Sequence, residues 1–297
     1  MVKNYNRRDA MRRKSIGILF ILGAAIGFAF MNLFVKLSGD LPVFQKAFFR
    51  NLIACIISFV VISKNISVLK TAKGNVTSII LRSFFGLVGV LLNFYAIGEL
   101  GSISDVSLLN KLSPFFAMIF SVLILKEKAK KFEWLLVLIA FTGAIFVIKP
   151  SFSPEVIPAV AGALSGMFAG LAYTFVRKIT TNGTDGSVVV FAFSMLSTLA
   201  LLPITIIQFE RMSALQLFYL IMAGVSAAVG QYCITFAYKF APAKEISVFD
   251  YTQVIFAAIL GFFILGQTID VYSIIGYIII ISAAVLRWQY NLRKVEN

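Results

Sequence analysis

Residues 105–125 read DVSLLNKLSPFFAMIFSVLIL, and residues 245–265 read EISVFDYTQVIFAAILGFFIL. They align without a gap at an offset of about 140 residues, pairing Asp105 with Glu245, Ser107 with Ser247, Phe116 with Phe256 and Leu125 with Leu265. Self-similarity over so long a stretch points to a duplicated architecture. Other segments repeat with it. GAAIG at Gly23 to Gly27 returns as GALSG at Gly162 to Gly166, and NFYAIGEL finds ITFAYKFA with one residue of slippage.

Of the 297 residues, 60% are apolar and 13% charged, against about 25% charged in soluble domains. A soluble core of this size cannot hide the 30 Phe together with the Ile, Leu and Val around them, so the solvent for most of the surface is lipid. Roughly 20 mostly apolar residues carry a helix across the ~30 Å hydrocarbon core. Divided at charge clusters, Pro and Gly, the chain offers ten such runs: Ile16 to Leu37, Phe44 to Ser63, Ser78 to Gly98, Ser104 to Leu125, Phe132 to Ile148, Ile157 to Val176, Ser187 to Ile207, Leu215 to Tyr238, Ile246 to Leu265 and Val271 to Leu286. Five runs fall in each half. An odd number turns the second half upside down relative to the first, the design of secondary transporters. The expected fold is an all-α integral membrane protein of ten transmembrane helices in two inverted five-helix repeats, residues 16–148 and 157–286. A basic segment (1–15) precedes them and a short tail (287–297) follows. The opening MVKNYNRRDAMRRK resembles the start of a signal peptide, but the run behind it is long and nine more follow.

The formal net charge of +14 would suggest a nucleic-acid partner in a soluble protein. In a membrane protein, Lys and Arg mark the cytoplasmic loops. With both termini inside, 21 of the 27 basic residues fall on inner segments, five (Lys36, Lys46, Arg50, Lys149 and Arg211) on the outer side, and Lys111 within a span. The charge is then a topology signal for a multi-pass protein of the cytoplasmic membrane, and nucleic-acid binding is an unneeded hypothesis. Arg50 and Arg82, near helix ends, are expected to be snorkelling anchors. The chain has no His, which removes Ser-His and Cys-His nucleophile pairs and HExxH zinc sites. Cys55 and Cys233 lie in apolar runs and are expected to be packing residues, with no disulfide or metal site. Asp105 and Asp250 fall on opposite sides of the membrane and make no catalytic dyad, so no enzyme is expected.

The stretch FYAIGELGSISDVSLLNKLSPFFAMIFSVLILKEK (residues 94–128) resembles the third and fourth helices of the drug/metabolite transporter superfamily, EamA type. GQYCITFAYKFAPAKEISVFDYTQVIFAAILGFFILGQT (residues 230–268) resembles their repeat partners, the eighth and ninth. The likeness runs from about Ile16 to Leu286. It implies a central cavity lined by helices one, three, four, six, eight and nine, no bound cofactor and no ATP use. The family commonly has Glu just after the fourth and ninth helices; Glu127 fits the first place, whereas Gln267 stands in the second.

Ionisable groups inside a span cost about 2.5–3.5 kcal/mol on insertion scales and usually face a cavity or a partner. Lys111 and Asp250 are the clear cases, and the repeat register makes them neighbours by pairing Asn110 with Asp250 and Lys111 with Tyr251. Counting about seven residues from the outer end to Lys111 and about four from the inner end to Asp250 leaves roughly 14 Å of the core between them. Two separate cavity-facing charges are therefore expected rather than a standing salt bridge. Lys111 offers an ammonium to a carboxylate or phosphate; Asp250 can answer an amine on the same substrate or carry a proton. Asn32 and Tyr173 occupy equivalent repeat positions, and Asn110, Tyr251, Gln231, Tyr95, Ser113 and Gln253 join them as candidate substrate contacts, with Asn93 and Tyr232 nearby. Pro114 is expected to kink the fourth helix, where its partner Val254 cannot kink the ninth. Gly23, Gly27, Gly162 and Gly166 should let helices approach closely.

The reading is a secondary transporter that moves a small organic metabolite bearing an anionic group by alternating access. Zwitterions such as amino acids are the rival substrates, and a channel or a non-transporting scaffold is the rival class. Its partners are the metabolite and the bilayer, with proton or counter-solute coupling and a homodimer left open. Lys111→Ala is expected to abolish uptake of the true substrate in proteoliposomes; full activity in that variant removes the anionic-substrate reading.

Overall fold

The structure, a computed structural model, describes residues 2–126, 128–148, 156–240 and 246–296. Glu127 and Glu245, on which two of the sequence pairings rest, lie outside the described residues. The helices are α1 (Val2–Leu37), α2 (Val43–Ser63), α3 (Val76–Glu99), α4 (Ile103–Asn110), α5 (Ser113–Leu125), α6 (Lys131–Ile148), α7 (Val156–Thr181), α8 (Gly186–Ile207), α9 (Ala214–Phe240), α10 (Thr252–Leu265) and α11 (Val271–Glu296). With α4 and α5 taken as one crossing, ten segments among the described residues are long and apolar enough to span a membrane. Lipid leaves a backbone no outside hydrogen-bond partner, so runs this apolar fold as helices that satisfy their own N–H and C=O groups. Ile207 and Phe263 stand 81% and 78% exposed on helix faces, positions that lipid solvates and water would not. The basic segment is not a separate element: α1 runs through it as one helix of 36 residues.

The fourth crossing is interrupted. Lys111 and Leu112 form a turn between α4 and α5, and Pro114 lies in the first turn of α5, where its missing N–H costs no intrahelical bond. The kink expected at Pro114 is therefore a break just ahead of it. The ninth crossing changes character at the matching place without a proline: a 3₁₀ turn, Ser247–Tyr251, leads into α10. Both crossings also end alike. Lys126 closes α5 with φ 57° and donates its N–H to Ser121 O; Gly266 closes α10 with φ 64° and donates to Gly261 O. Sequence similarity at the long offset thus carries matching local backbone geometry.

Packing is mostly between halves, and it follows a symmetric scheme. α1 lies on α9 as α7 lies on α3, α2 meets α9 as α8 meets α3, and α1 meets α10 as α7 meets α5. The remaining major pairs, α2 with α8, α6 with α11 and α4 with α10, join equivalent crossings. Exchanging the two halves leaves this scheme unchanged.

Two of the repeated small residues, Gly27 and Gly166, stand where helix backbones approach closely. A Cβ on Gly27 would lie 2.9 Å from the backbone N of Gly230, and one on Gly166 would lie 2.6 Å from the Leu109 carbonyl oxygen. Both obstacles are backbone, which no rotamer can clear. Gly166→Ala should therefore lower the apparent melting temperature in detergent by several degrees. Gly98→Ala, where a Cβ meets nothing within 4 Å, should leave it unchanged or slightly raised. Equal behaviour of the two variants would contradict the packing described.

Candidate functional site

The interrupted fourth and ninth crossings meet where the two halves face each other. There Lys111 Nζ lies 2.6 Å from Asp250 Oδ2, with side-chain exposures of 6% and 13%. The pair contradicts the expected separation. The depth count placed both residues on uniform helices at 1.5 Å per residue, whereas a 3₁₀ segment rises about 2.0 Å per residue and carries Asp250 deeper. That adds about 2 Å over four residues; the count also leaves out the reach of both side chains and the break of the fourth crossing at Lys111 and Leu112. Tyr251 OH donates to the Lys111 carbonyl oxygen at 2.9 Å, so the turn carrying the lysine is braced by the residue after its partner. Lys111 Nζ also stands 5.9 Å from the centre of the Phe28 ring. Asp250 Oδ1 is buried with no partner among the described residues.

Beside this pair is a cavity of about 90 Å³ walled by crossings from both halves. Of the expected contacts, Asn32, Asn110, Lys111, Tyr173, Gln231 and Gln253 line it. Asn32 Nδ2 donates to Ser107 Oγ at 3.0 Å, Asn93 Nδ2 to Asn32 Oδ1 at 3.3 Å, and Asn110 Nδ2 to Ser165 Oγ at 3.0 Å, so the wall is a hydrogen-bonded lattice. Tyr251 and Asp250 are not among the residues of the wall; Asp250 reaches it only through its contact with Lys111. Tyr95 and Ser113 are also off it. Tyr95 follows the cavity-lining Asn93 by two residues and so turns to the far side of α3. Ser113 begins the new helix after the break, and its carbonyl packs on the α7 position of Gly170.

The largest correction concerns Arg50 and Arg82. Instead of snorkelling to an interface, they are 2% and 4% exposed and line the same cavity. Their guanidinium carbons lie 5.5 and 3.9 Å from the centre of one ring, Phe193 on α8. That geometry bounds their separation at about 9 Å, where two cations repel by roughly 2 kcal/mol at an effective dielectric of about 20. Arg50 Nη1 donates to Asn51 Oδ1 at 2.7 Å. Arg50 Nε and both Nε and Nη1 of Arg82 are buried without a partner among the described residues. No carboxylate pairs with either guanidinium there.

The end away from the chain termini is closed by polar contacts. Lys36 Nζ donates to the carbonyls of Gly98 (2.6 Å) and Leu100 (3.2 Å), and Gln45 exchanges two hydrogen bonds with the backbone of Glu210 at 3.0 Å each. Gln267 Oε1 accepts from Ile103 N at 3.0 Å, capping the start of α4 from the opposite half. The amide found in place of the family's second Glu thus satisfies an orphan helix donor. Tyr277 OH bonds Asp105 Oδ1 at 2.7 Å and ties α11 to α4. No group of three or more metal-ligating side chains exists among the described residues.

A profile of the EamA-like transporter family matches residues 15–149 and 157–288. The pseudopaline exporter of Pseudomonas aeruginosa is 29% identical over 272 residues, covering 91% of this chain and 94% of that one. The riboflavin transporter of Vibrio cholerae is 23% identical over 283 residues, 94% of each chain. The S-adenosylmethionine uptake transporter of Rickettsia prowazekii is 24% identical over 283 residues, 93% of each. A solved crystal structure superposes with a TM-score of 0.65 at 17% identity over 95% of this chain and 99% of that one, a likeness of fold.

Breaking a buried ion pair by removing one partner costs about 3–5 kcal/mol, whereas replacing both by apolar groups is often neutral. Asp250→Leu should accordingly destabilise the protein strongly, and the double variant Lys111→Met, Asp250→Leu should recover most of the loss in thermal unfolding. A double variant no more stable than Asp250→Leu would contradict the pairing.

Proposed function

Because the chain belongs to the EamA-like transporter family, and is a multi-pass membrane transporter rather than an enzyme, we propose that it is a secondary carrier moving a small organic anion across the cytoplasmic membrane by alternating access. One observation carries the choice of charge: Arg50, Arg82 and Lys111 line the cavity, and Asp250 is the carboxylate paired there. A concave, low-dielectric site with surplus positive charge favours an anionic solute.

Several features support the carrier mechanism. Interrupted helices at a cavity between two halves are the construction of secondary transporters. A packing scheme unchanged by exchange of the halves is what a pseudo-twofold axis requires, and five crossings per half put that axis in the membrane plane. With both termini cytoplasmic, as the Lys and Arg distribution favours, the closed end described above is the outer one. The names of the relatives, a pseudopaline exporter and riboflavin and S-adenosylmethionine transporters, fit a carrier of organic metabolites.

A zwitterionic substrate is the second reading, favoured by the unpartnered Asp250 Oδ1, which can accept from an amine. A metabolite library screened by thermal stabilisation of the purified protein, followed by counterflow of labelled hits in proteoliposomes, tests the carrier reading. Counterflow of an organic anion above empty vesicles is expected; no flux of any hit would refute it. Asp250→Asn should leave simple anions as substrates but exclude zwitterions if an amine docks there.

A further inference from the structure

The charge balance of the cavity goes one step beyond the carrier reading and rests on it. Lys111 is neutralised by Asp250 at 2.6 Å. Arg50 and Arg82 are not neutralised by any carboxylate among the described residues, and both are almost fully buried. Among the described residues, the cavity therefore carries a surplus of two positive charges. Their unused donors, Arg50 Nε and Arg82 Nε and Nη1, are buried in residues that line one cavity. The guanidinium fork matches the spacing of oxygens on a carboxylate or phosphate.

We propose that Arg50 and Arg82, both beside the Phe193 ring, form a subsite for a doubly charged oxyanion, a phosphate monoester or a dicarboxylate. A single carboxylate would leave one buried guanidinium uncompensated, whereas a dianion neutralises both. The ring of Phe193, 5.5 and 3.9 Å from the two guanidinium carbons, stabilises the cations while the site is empty and offers no hydrogen bond to compete with the ligand. Lys111 and Asp250 remain paired beside it, so the subsite takes its charge from the arginines alone.

The test uses matched probes on the purified full chain. A phosphate monoester is compared with its methyl diester, and a four-carbon dicarboxylate with its monomethyl ester, by titration calorimetry at neutral pH. At least one dianion should bind at least tenfold more tightly than its singly charged partner; which pair shows the larger ratio separates phosphate from dicarboxylate as the natural head group. Arg82→Gln and Arg50→Gln, checked for monodispersity, should each remove that ratio, and Arg82→Lys should restore part of it. Equal binding within both pairs, no binding of either dianion to the wild-type chain, or an unchanged ratio in both monodisperse Gln variants would overturn the proposal. Because the wild-type comparison needs no variant, misfolding of a mutant cannot rescue it. The carrier reading fails separately, by absence of counterflow for every hit.

Discussion

A charge carried into the hydrocarbon interior has to be answered by another charge, by a dipole or by a ligand, and the way this chain meets that constraint organises its centre. Lys111 is answered by Asp250 at 2.6 Å. The pair joins the fourth and ninth crossings, the equivalent crossings of the two halves, and Tyr251 OH fixes the lysine backbone at the break. Arg50 and Arg82 are answered only in part, by the Phe193 face and by Asn51. The first arrangement is a strut between halves. The second is unspent binding capacity.

Close packing and broken helices serve the same centre. Gly27 and Gly166 let backbones approach so nearly that a Cβ would meet backbone atoms within 3 Å, which holds α1 on α9 and α7 against α4. Where two crossings lose regular α geometry, at Lys111–Leu112 and at Ser247–Tyr251, the ion pair between the halves sits. A continuous helix keeps its backbone groups bonded to itself, whereas a break turns some of them toward neighbours, as the Lys111 carbonyl turns to Tyr251. Polar contacts from Lys36, Gln45 and Gln267 join the crossings at one end.

Much of this was legible in residue order. The ten crossings follow from apolar run length, and the offset that matched Leu125 with Leu265 also located the paired helix ends at Lys126 and Gly266. Lys111 and Asp250 stood out because few charges interrupt those runs. Their contact did not, since a depth count assumes uniform helical rise and ignores side-chain reach. Arg50 and Arg82 were misread for a related reason. They lie seven and six residues inside α2 and α3, about as deep as Lys111 was judged to be, so depth was available as a signal. Which side of the helix each arginine faces is set by contacts with α8, which run length and local pattern do not encode. Tyr95 and Ser113 lie on the motif-bearing helices but are not among the residues that line the cavity.

The central claim is that the charged cavity between the halves is where the solute binds. A cryo-electron microscopy structure of the full chain bound to a solute that it demonstrably carries tests this most directly. Density for an anionic group within hydrogen-bond distance of Arg50 and Arg82, with Lys111 and Asp250 still in contact, is the predicted result. Solute density outside the cavity, with both guanidiniums unliganded, would contradict the account.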